Sequence, residues 1–248
     1  LTYLIYPFLI FLIYLRTFLK KEEKFRFKEK LFPSHFSAEK SGKKKLIWIH
    51  AASLGETLSM FSLIDELNKK QKNLEFLITT VTLSSGKLVK KKIYEYSNIK
   101  HRYFPLDINF LVKEFLAKWS PNLILFVDSE IWPNFLTQIK MNKIPLILVN
   151  GRITKKTFTK WMLVPSFAKK IFKTFDLCLA SSKDSETYLK KLNVNNLKFL
   201  GNLKFADKIE IKNIKSNNES FLKKRLFWCA ASTHPNEEIF CLKTHINL

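Results

Sequence analysis

Six short segments place chemically useful side chains directly after apolar runs. In Ile47-Trp48-Ile49-His50-Ala51-Ala52-Ser53-Leu54-Gly55-Glu56-Thr57 the run ends in small residues, and Glu56 opens an amphipathic stretch. A carboxylate there can act as a general base on a bound hydroxyl; a first-turn Glu is also favoured by the helix dipole alone. Gly55 just before it lets a ligand approach the backbone. The segment Thr79-Thr80-Val81-Thr82-Leu83-Ser84-Ser85-Gly86-Lys87 offers hydroxyls and a glycine without the spacing of an ATP-binding loop. Thr80, Ser85 and Gly86 suit a sugar or phosphate, and helix N-capping is the equal alternative. In Val127-Asp128-Ser129-Glu130-Ile131-Trp132-Pro133 two carboxylates stand two residues apart at the end of an apolar run. Buried without partners they would be costly, which makes them site candidates. Asn150-Gly151-Arg152, Gly201-Asn202-Leu203-Lys204-Phe205 and Ala231-Ser232-Thr233-His234-Pro235-Asn236-Glu237-Glu238 complete the set.

These segments need elements that hold them in one place. Strands are expected at 46–50, 76–81, 123–127, 146–149, 177–180, 197–200 and 226–230, and helices at 56–70, 86–96, 109–118, 132–141, 154–172 and 182–192. Such βαβα alternation predicts an α/β fold with a Rossmann-like parallel sheet covered by helices on both faces. Ligands then gather where strand C-termini meet helix N-termini, which is where all six segments fall. Residues 207–219, with six charges and three asparagines, read as a linker, and a second domain begins after it.

The first fifteen residues carry no charge and run into Arg16, Lys20, Lys21, Lys24 and Arg26. This is an anchor pattern with a cytoplasmic flank, although a full span needs about 20 apolar residues. The net charge is +22, from 43 Lys and Arg against 21 Asp and Glu. It predicts an anionic partner. Its sharpest part is the stretch from Ile131 to Phe175, which has no acid, eight Lys and one Arg, and whose later half has the composition of a membrane-surface helix. An ordinary solvated helix is the alternative. Three cysteines without metal-ligand spacing argue against a disulfide framework and a zinc site.

Taken together, the six segments resemble the bacterial 3-deoxy-D-manno-octulosonic acid (Kdo) transferases, over the length from the apolar N-terminus to Leu248. The resemblance rests on H-A-x-S-x-G-E at His50 to Glu56, the Thr-rich loop ending at Gly86, an E-x-E-x-W-P element read as Asp128 to Pro133, N-x-R at Asn150 to Arg152, G-N-L-K-F and S-T-H-P. It implies a GT-B fold of two Rossmann-like domains: an anchor at 1–19, an acceptor domain at 20–205, a linker at 206–224 and the opening of a donor domain at 225–248. It implies transfer of Kdo from CMP-Kdo, the donor substrate, to a lipid A precursor at the cytoplasmic face of the inner membrane. Neither cofactor nor metal is needed, an anionic membrane surface is a partner and nucleic acid is not.

By the same resemblance Glu56 is the general base of an inverting reaction, with Glu130 and Lys204 stabilising the transition state. His50, Ser53, Gly55, Thr80, Ser85, Gly86, Asp128, Trp132 and Arg152 bind the acceptor, and Asn202, Ser232, Thr233, His234 and Glu238 the donor. Asp128 stands where the family has Glu, Asn236 where it has Gly and Ala206 where it has Asp. The main CMP-contacting segments of the family lie beyond Leu248, so the chain alone is expected not to turn over. The rival readings are another membrane-associated GT-B glycosyltransferase and a non-catalytic basic protein that binds membranes or nucleic acid.

Overall fold

The computed structural model describes residues 2–37, 44–203, 223–224 and 227–247. Two compact units divide the chain between Asp207 and Lys208. The first is built on seven strands: β1 (Lys45–His50), β2 (Leu74–Thr80), β3 (Ile99–Tyr103), β4 (Leu123–Val127), β5 (Leu146–Gly151), β6 (Leu177–Ala180) and β7 (Leu197–Phe199). They pair in parallel in the order β3-β2-β1-β4-β5-β6-β7. The order reverses between β1 and β4, which opens a crevice beyond their C-terminal ends.

Residues alternate between the faces of each strand, so β1 feeds two cores at once. Leu46 and Trp48 join Phe115, Phe126 and Phe135 on one side, while Ile47 and Ile49 join Met60, Ile64 and Phe76 on the other. The helices covering the sheet are α2 (Leu54–Lys70), α3 (Leu83–Ile93), α4 (Asn109–Trp119), α5 (Pro133–Met141), α6 (Lys155–Trp161), α7 (Pro165–Phe172) and α8 (Lys183–Lys191).

Two expectations are corrected in this unit. The single helix expected over 154–172 is α6 and α7, parted at Val164 because Pro165 disfavours a helical residue before it and starts α7 at its first position. β3 was not anticipated, because Ile-Lys-His-Arg-Tyr is charged at every second residue. As an edge strand it buries Ile99, His101 and Tyr103 and turns Lys100 and Arg102 outward. Tyr103 lies against Gly86 of α3: a Cβ there would meet the phenol hydroxyl and stand 2.8 Å from its ring carbon Cζ. Gly86→Ala is therefore expected to destabilise by about 1–2 kcal/mol, overpacking outweighing the helix-propensity gain. Chemical denaturation should show the loss, and Gly86→Ala with Tyr103→Phe should recover part of it.

The N-terminal segment forms α1 (Thr2–Phe18), and among the described residues no helix is long and apolar enough to cross a membrane. α1 belongs to the first unit and packs on its neighbours there. Tyr3 and Tyr6 pack on Phe110, the Tyr6 hydroxyl donates to the Leu31 carbonyl at 2.5 Å, and Tyr14 meets Phe27 edge-on. Leu4, Phe8, Phe11 and Phe18 remain exposed. A 3-10 turn (Arg26–Lys30) and a second (Pro33–His35) lead from it to β1.

In the second unit a helix, α9 (Glu237–Ile246), follows residues 227–230, which are irregular rather than the expected strand. No pairing partner for them exists among the described residues, and an unpaired strand leaves its backbone groups without a ladder. The expected linker lies outside the described residues apart from Lys223 and Lys224.

Candidate functional site

Small residues after β1 let the chain turn, and Ser53 then caps α2. Its hydroxyl accepts from the Glu56 amide at 3.4 Å, while Glu56 accepts from the Ala52 amide at 2.9 Å, the Ser53 amide at 3.4 Å and the Ser53 hydroxyl at 2.6 Å. Glu56 thus closes a capping box at the strand-end rim, half-exposed beside Gly55. The neighbouring loop docks on the same turn. Thr82 caps α3 by accepting from the Ser85 amide at 3.2 Å, and the buried Ser85 hydroxyl contacts the Ala52 carbonyl at 3.1 Å.

At the crevice between β1 and β4 a second cluster forms. His50, fully buried, stacks on Phe104 at 3.7 Å and places Nε2 3.1 Å from Glu130 Oε2, to which Trp132 Nε1 also donates at 2.7 Å. Trp48 Nε1 donates to the Thr79 hydroxyl at 2.8 Å, and that hydroxyl is 3.0 Å from His50 Nδ1. Each polar hydrogen is used once if the Thr79 hydroxyl donates to Nδ1 and Nε2–H donates to Glu130. Burial pushes the Glu130 carboxyl up, but its bonds with His50 and Trp132 outweigh this and hold it below the ordinary carboxylate range. Helix α5, which follows this segment, is capped from a distance by Asp107, which accepts from the Asn134 amide at 3.1 Å and the Phe135 amide at 2.9 Å.

Over the ends of β4 to β7 lies a cleft of about 500 Å³, lined by Asp128, Asn150, Arg152, Ser182, Tyr188 and Asn202 among others. Its size is that of a small-molecule site. Asp128 and Asn150 have φ of +64° and +55°, a region that Asp and Asn enter more readily than Glu. The backbone thus gives a reason for Asp where the resemblance expects Glu.

The structure brings His50, Glu130 and Trp132 into contact, sets Ser53, Gly55, Glu56 and Ser85 around one helix start, and puts Asp128, Arg152 and Asn202 on one cleft. Two residues sit beneath the rim: Thr80 is fully buried with its hydroxyl on His101 Nε2 at 2.9 Å, and Gly86 is buried against Tyr103. Lys204 and Ala206 lie outside the described residues. In the second unit the Thr233 hydroxyl donates to Glu238 at 2.8 Å, Ser232 and His234 are exposed, and Asn236 takes φ +80°, a left-handed value natural to the Gly expected there.

Sequence reasoning missed Thr79 and Asp107 as supports of the site, and Ser182 and Tyr188 as cleft residues. Ala180-Ser181-Ser182 carried a signal, since it repeats the pattern of hydroxyls at a strand end; Asp107 precedes α4 and acts on α5, which no local pattern reveals.

The family model for 3-Deoxy-D-manno-octulosonic-acid transferase (kdotransferase) matches residues 22–207. The chain belongs to this family. The 3-deoxy-D-manno-octulosonic acid transferase of Rickettsia felis is 34% identical over 217 residues, 87% of this chain and 46% of that protein. The Rickettsia bellii one is 32% identical over 254 residues, all of this chain and 58% of that protein. The chain thus spans about half the length of the curated relatives it matches. An S. aureus MnaA–UDP co-structure superposes with a TM-score of 0.50 at 17% identity, over 72% of this chain and 51% of that one, a likeness of fold alone. The first unit is accordingly the Rossmann-like, GT-B-type domain of a Kdo transferase family member, and the family match contains Glu56, Glu130 and Arg152 but not residues 232–238.

Proposed function

We propose that the chain supplies the acceptor-binding half of a transferase that moves Kdo from CMP-Kdo to a lipid A precursor. Family membership carries this reading, and the disposition of Glu56 and Glu130 along the strand-end rim supports it. Glu56 takes the proton from an acceptor hydroxyl, the oxygen attacks the anomeric carbon from the face opposite the nucleotide, and the bond to CMP breaks with its electron pair leaving on the phosphate. Inversion in one displacement needs one base and no covalent intermediate. Glu130, held by His50 and Trp132, offers a fixed negative charge for the electron-poor sugar carbon. Lys204 is assigned, with Glu130, to stabilising the transition state, and Asn202, Ser232, Thr233, His234 and Glu238 to the donor. The reading is tested by incubating the full-length gene product with CMP-Kdo and a lipid A precursor in membranes; no Kdo-bearing product would overturn it.

The same proposal places the protein on the cytoplasmic face of the inner membrane through α1. Its exposed Leu4, Phe8, Phe11 and Phe18, with Lys20, Lys21 and Lys24 following, suit a helix lying in an anionic interface. Phe8→Ser with Phe11→Ser is expected to weaken co-sedimentation with anionic vesicles by roughly tenfold or more, given about 1.5–3 kcal/mol for burying each ring. Unchanged binding would remove α1 as the docking element.

A further inference from the structure

Two oppositely charged side chains are buried together outside the site. Lys30 Nζ donates to Glu22 Oε2 at 2.6 Å, both residues are less than a tenth exposed, and the other Glu22 oxygen accepts from Arg16 Nε of α1 at 2.8 Å. A buried ion pair is weak evidence for stability, because desolvating two charges offsets most of their attraction. What distinguishes this pair is its third partner. Lys30 Nζ also donates to the Val81 carbonyl at 2.8 Å, in the loop between β2 and α3. Burial lowers the Lys30 pKa, against which Glu22 acts to keep the ammonium charged.

From Val81 the contacts continue without a gap. Thr82, the next residue, holds the Ser85 amide; the Ser85 hydroxyl meets the Ala52 carbonyl at 3.1 Å; the Ala52 amide donates to Glu56 at 2.9 Å. Neighbouring bonds brace the same turn, since the Leu106 amide donates to the Lys30 carbonyl at 2.9 Å and the Tyr103 amide to Glu29 at 2.8 Å. A network runs from α1, through Glu22 and Lys30, to the capping box that carries Glu56.

We propose that Lys30, kept in place by Glu22, is a positioning residue: it fixes the β2–α3 loop against the helix start that bears Glu56, and so joins the orientation of α1 to the geometry of the site. Lys30 is too buried to touch substrate and acts through the loop. The proposal rests on the reading of Glu56 as base only for its effect on turnover; its effect on the loop stands apart from that reading.

The decisive variant is Glu22→Gln with Lys30→Met, which removes both charges together and avoids stranding one of them. Amide hydrogen exchange on this chain is expected to quicken roughly tenfold or more at Ser85 and Gly86, the loss of a hydrogen bond from a charged donor, with Phe76 to Ile78 in β2 unchanged. Lys30→Arg, which keeps a cationic donor for both oxygens, should restore most of the protection. In the full-length gene product the double variant should lower kcat with KM for CMP-Kdo unchanged, and Lys30→Arg should recover it. Unchanged exchange at Ser85 and Gly86 in a folded double variant, or a loss spread evenly over β2, would overturn the proposal. If the wild type gives no Kdo transfer, the functional reading fails and the exchange result alone decides.

Discussion

Glu56→Gln should abolish most Kdo transfer, by about 10²–10⁴-fold in kcat, while leaving the protein as stable as wild type. The two effects separate because the proposal gives Glu56 a second task besides its observed one. Its Oε2 accepts from the Ala52 and Ser53 amides, which a Gln carbonyl can also do, and where its Oε1 accepts from the Ser53 hydroxyl the Gln amide nitrogen can donate to that hydroxyl and keep the capping box closed. An amide oxygen is not a useful base, so the chemistry is lost and the cap is kept. Glu56→Ala loses both, and its additional cost in stability should be about 1 kcal/mol or less. The check is transfer from CMP-Kdo by the full-length gene product beside thermal unfolding of the same preparations. Transfer by Glu56→Gln within a few-fold of wild type would leave Glu56 as a cap alone.

Acid should weaken the first unit through His101. This residue is buried in β3, where Arg26 Nη1 lies 3.1 Å from its Nδ1. Arginine can only donate, so Nδ1 accepts and the proton sits on Nε2, which donates to Thr80 at 2.9 Å. Protonating Nδ1 would set a second positive charge against the guanidinium. Burial first, then Arg26 and Arg102, push the His101 pKa down to about 3 from 6.5. The unfolded chain therefore binds a proton that the folded chain refuses. Stability is full above about 6.5 and falls as pH drops towards about 3, by about 1.4 kcal/mol per pH unit within that window. His101→Gln can still accept from Arg26 and donate to Thr80 and has no proton to gain. Urea unfolding between pH 7 and pH 4 should show a slope shallower by about one proton in that variant. Equal slopes would show that His101 protonates in the folded state as readily as in the unfolded one.

Both predictions concern residues that the sequence displays unequally. Glu56 stands in an H-A-x-S-x-G-E segment and could be picked out from its neighbours alone. His101 sits in Ile-Lys-His-Arg-Tyr, whose charges hide a strand, and its partners Arg26 and Thr80 come from a 3-10 turn and another strand. Thr80 shows the reverse difficulty. It belongs to a loop rich in hydroxyls, yet the end of β2 is covered and its hydroxyl is turned to His101. The helix expected over 154–172 was legible in its apolar spacing, and Pro165 in the same sequence marked the break.

By itself the sequence determined the alternation of buried strands and amphipathic helices, the parallel sheet that such alternation requires, and the gathering of five polar segments at the strand ends of the first unit. Periodicity and turn chemistry act over a few residues, so they can be read along the chain. Tertiary structure decided which strands are neighbours, and therefore that Glu130 meets His50, that Asp107 caps α5 and that Lys30 reaches Val81. It also decided that α1 belongs to the first unit with one side packed and the other exposed, where the sequence showed only an uncharged apolar run. Those outcomes depend on burial and on donors and acceptors separated by 27 to 80 positions, which pair only when the sheet order brings them together.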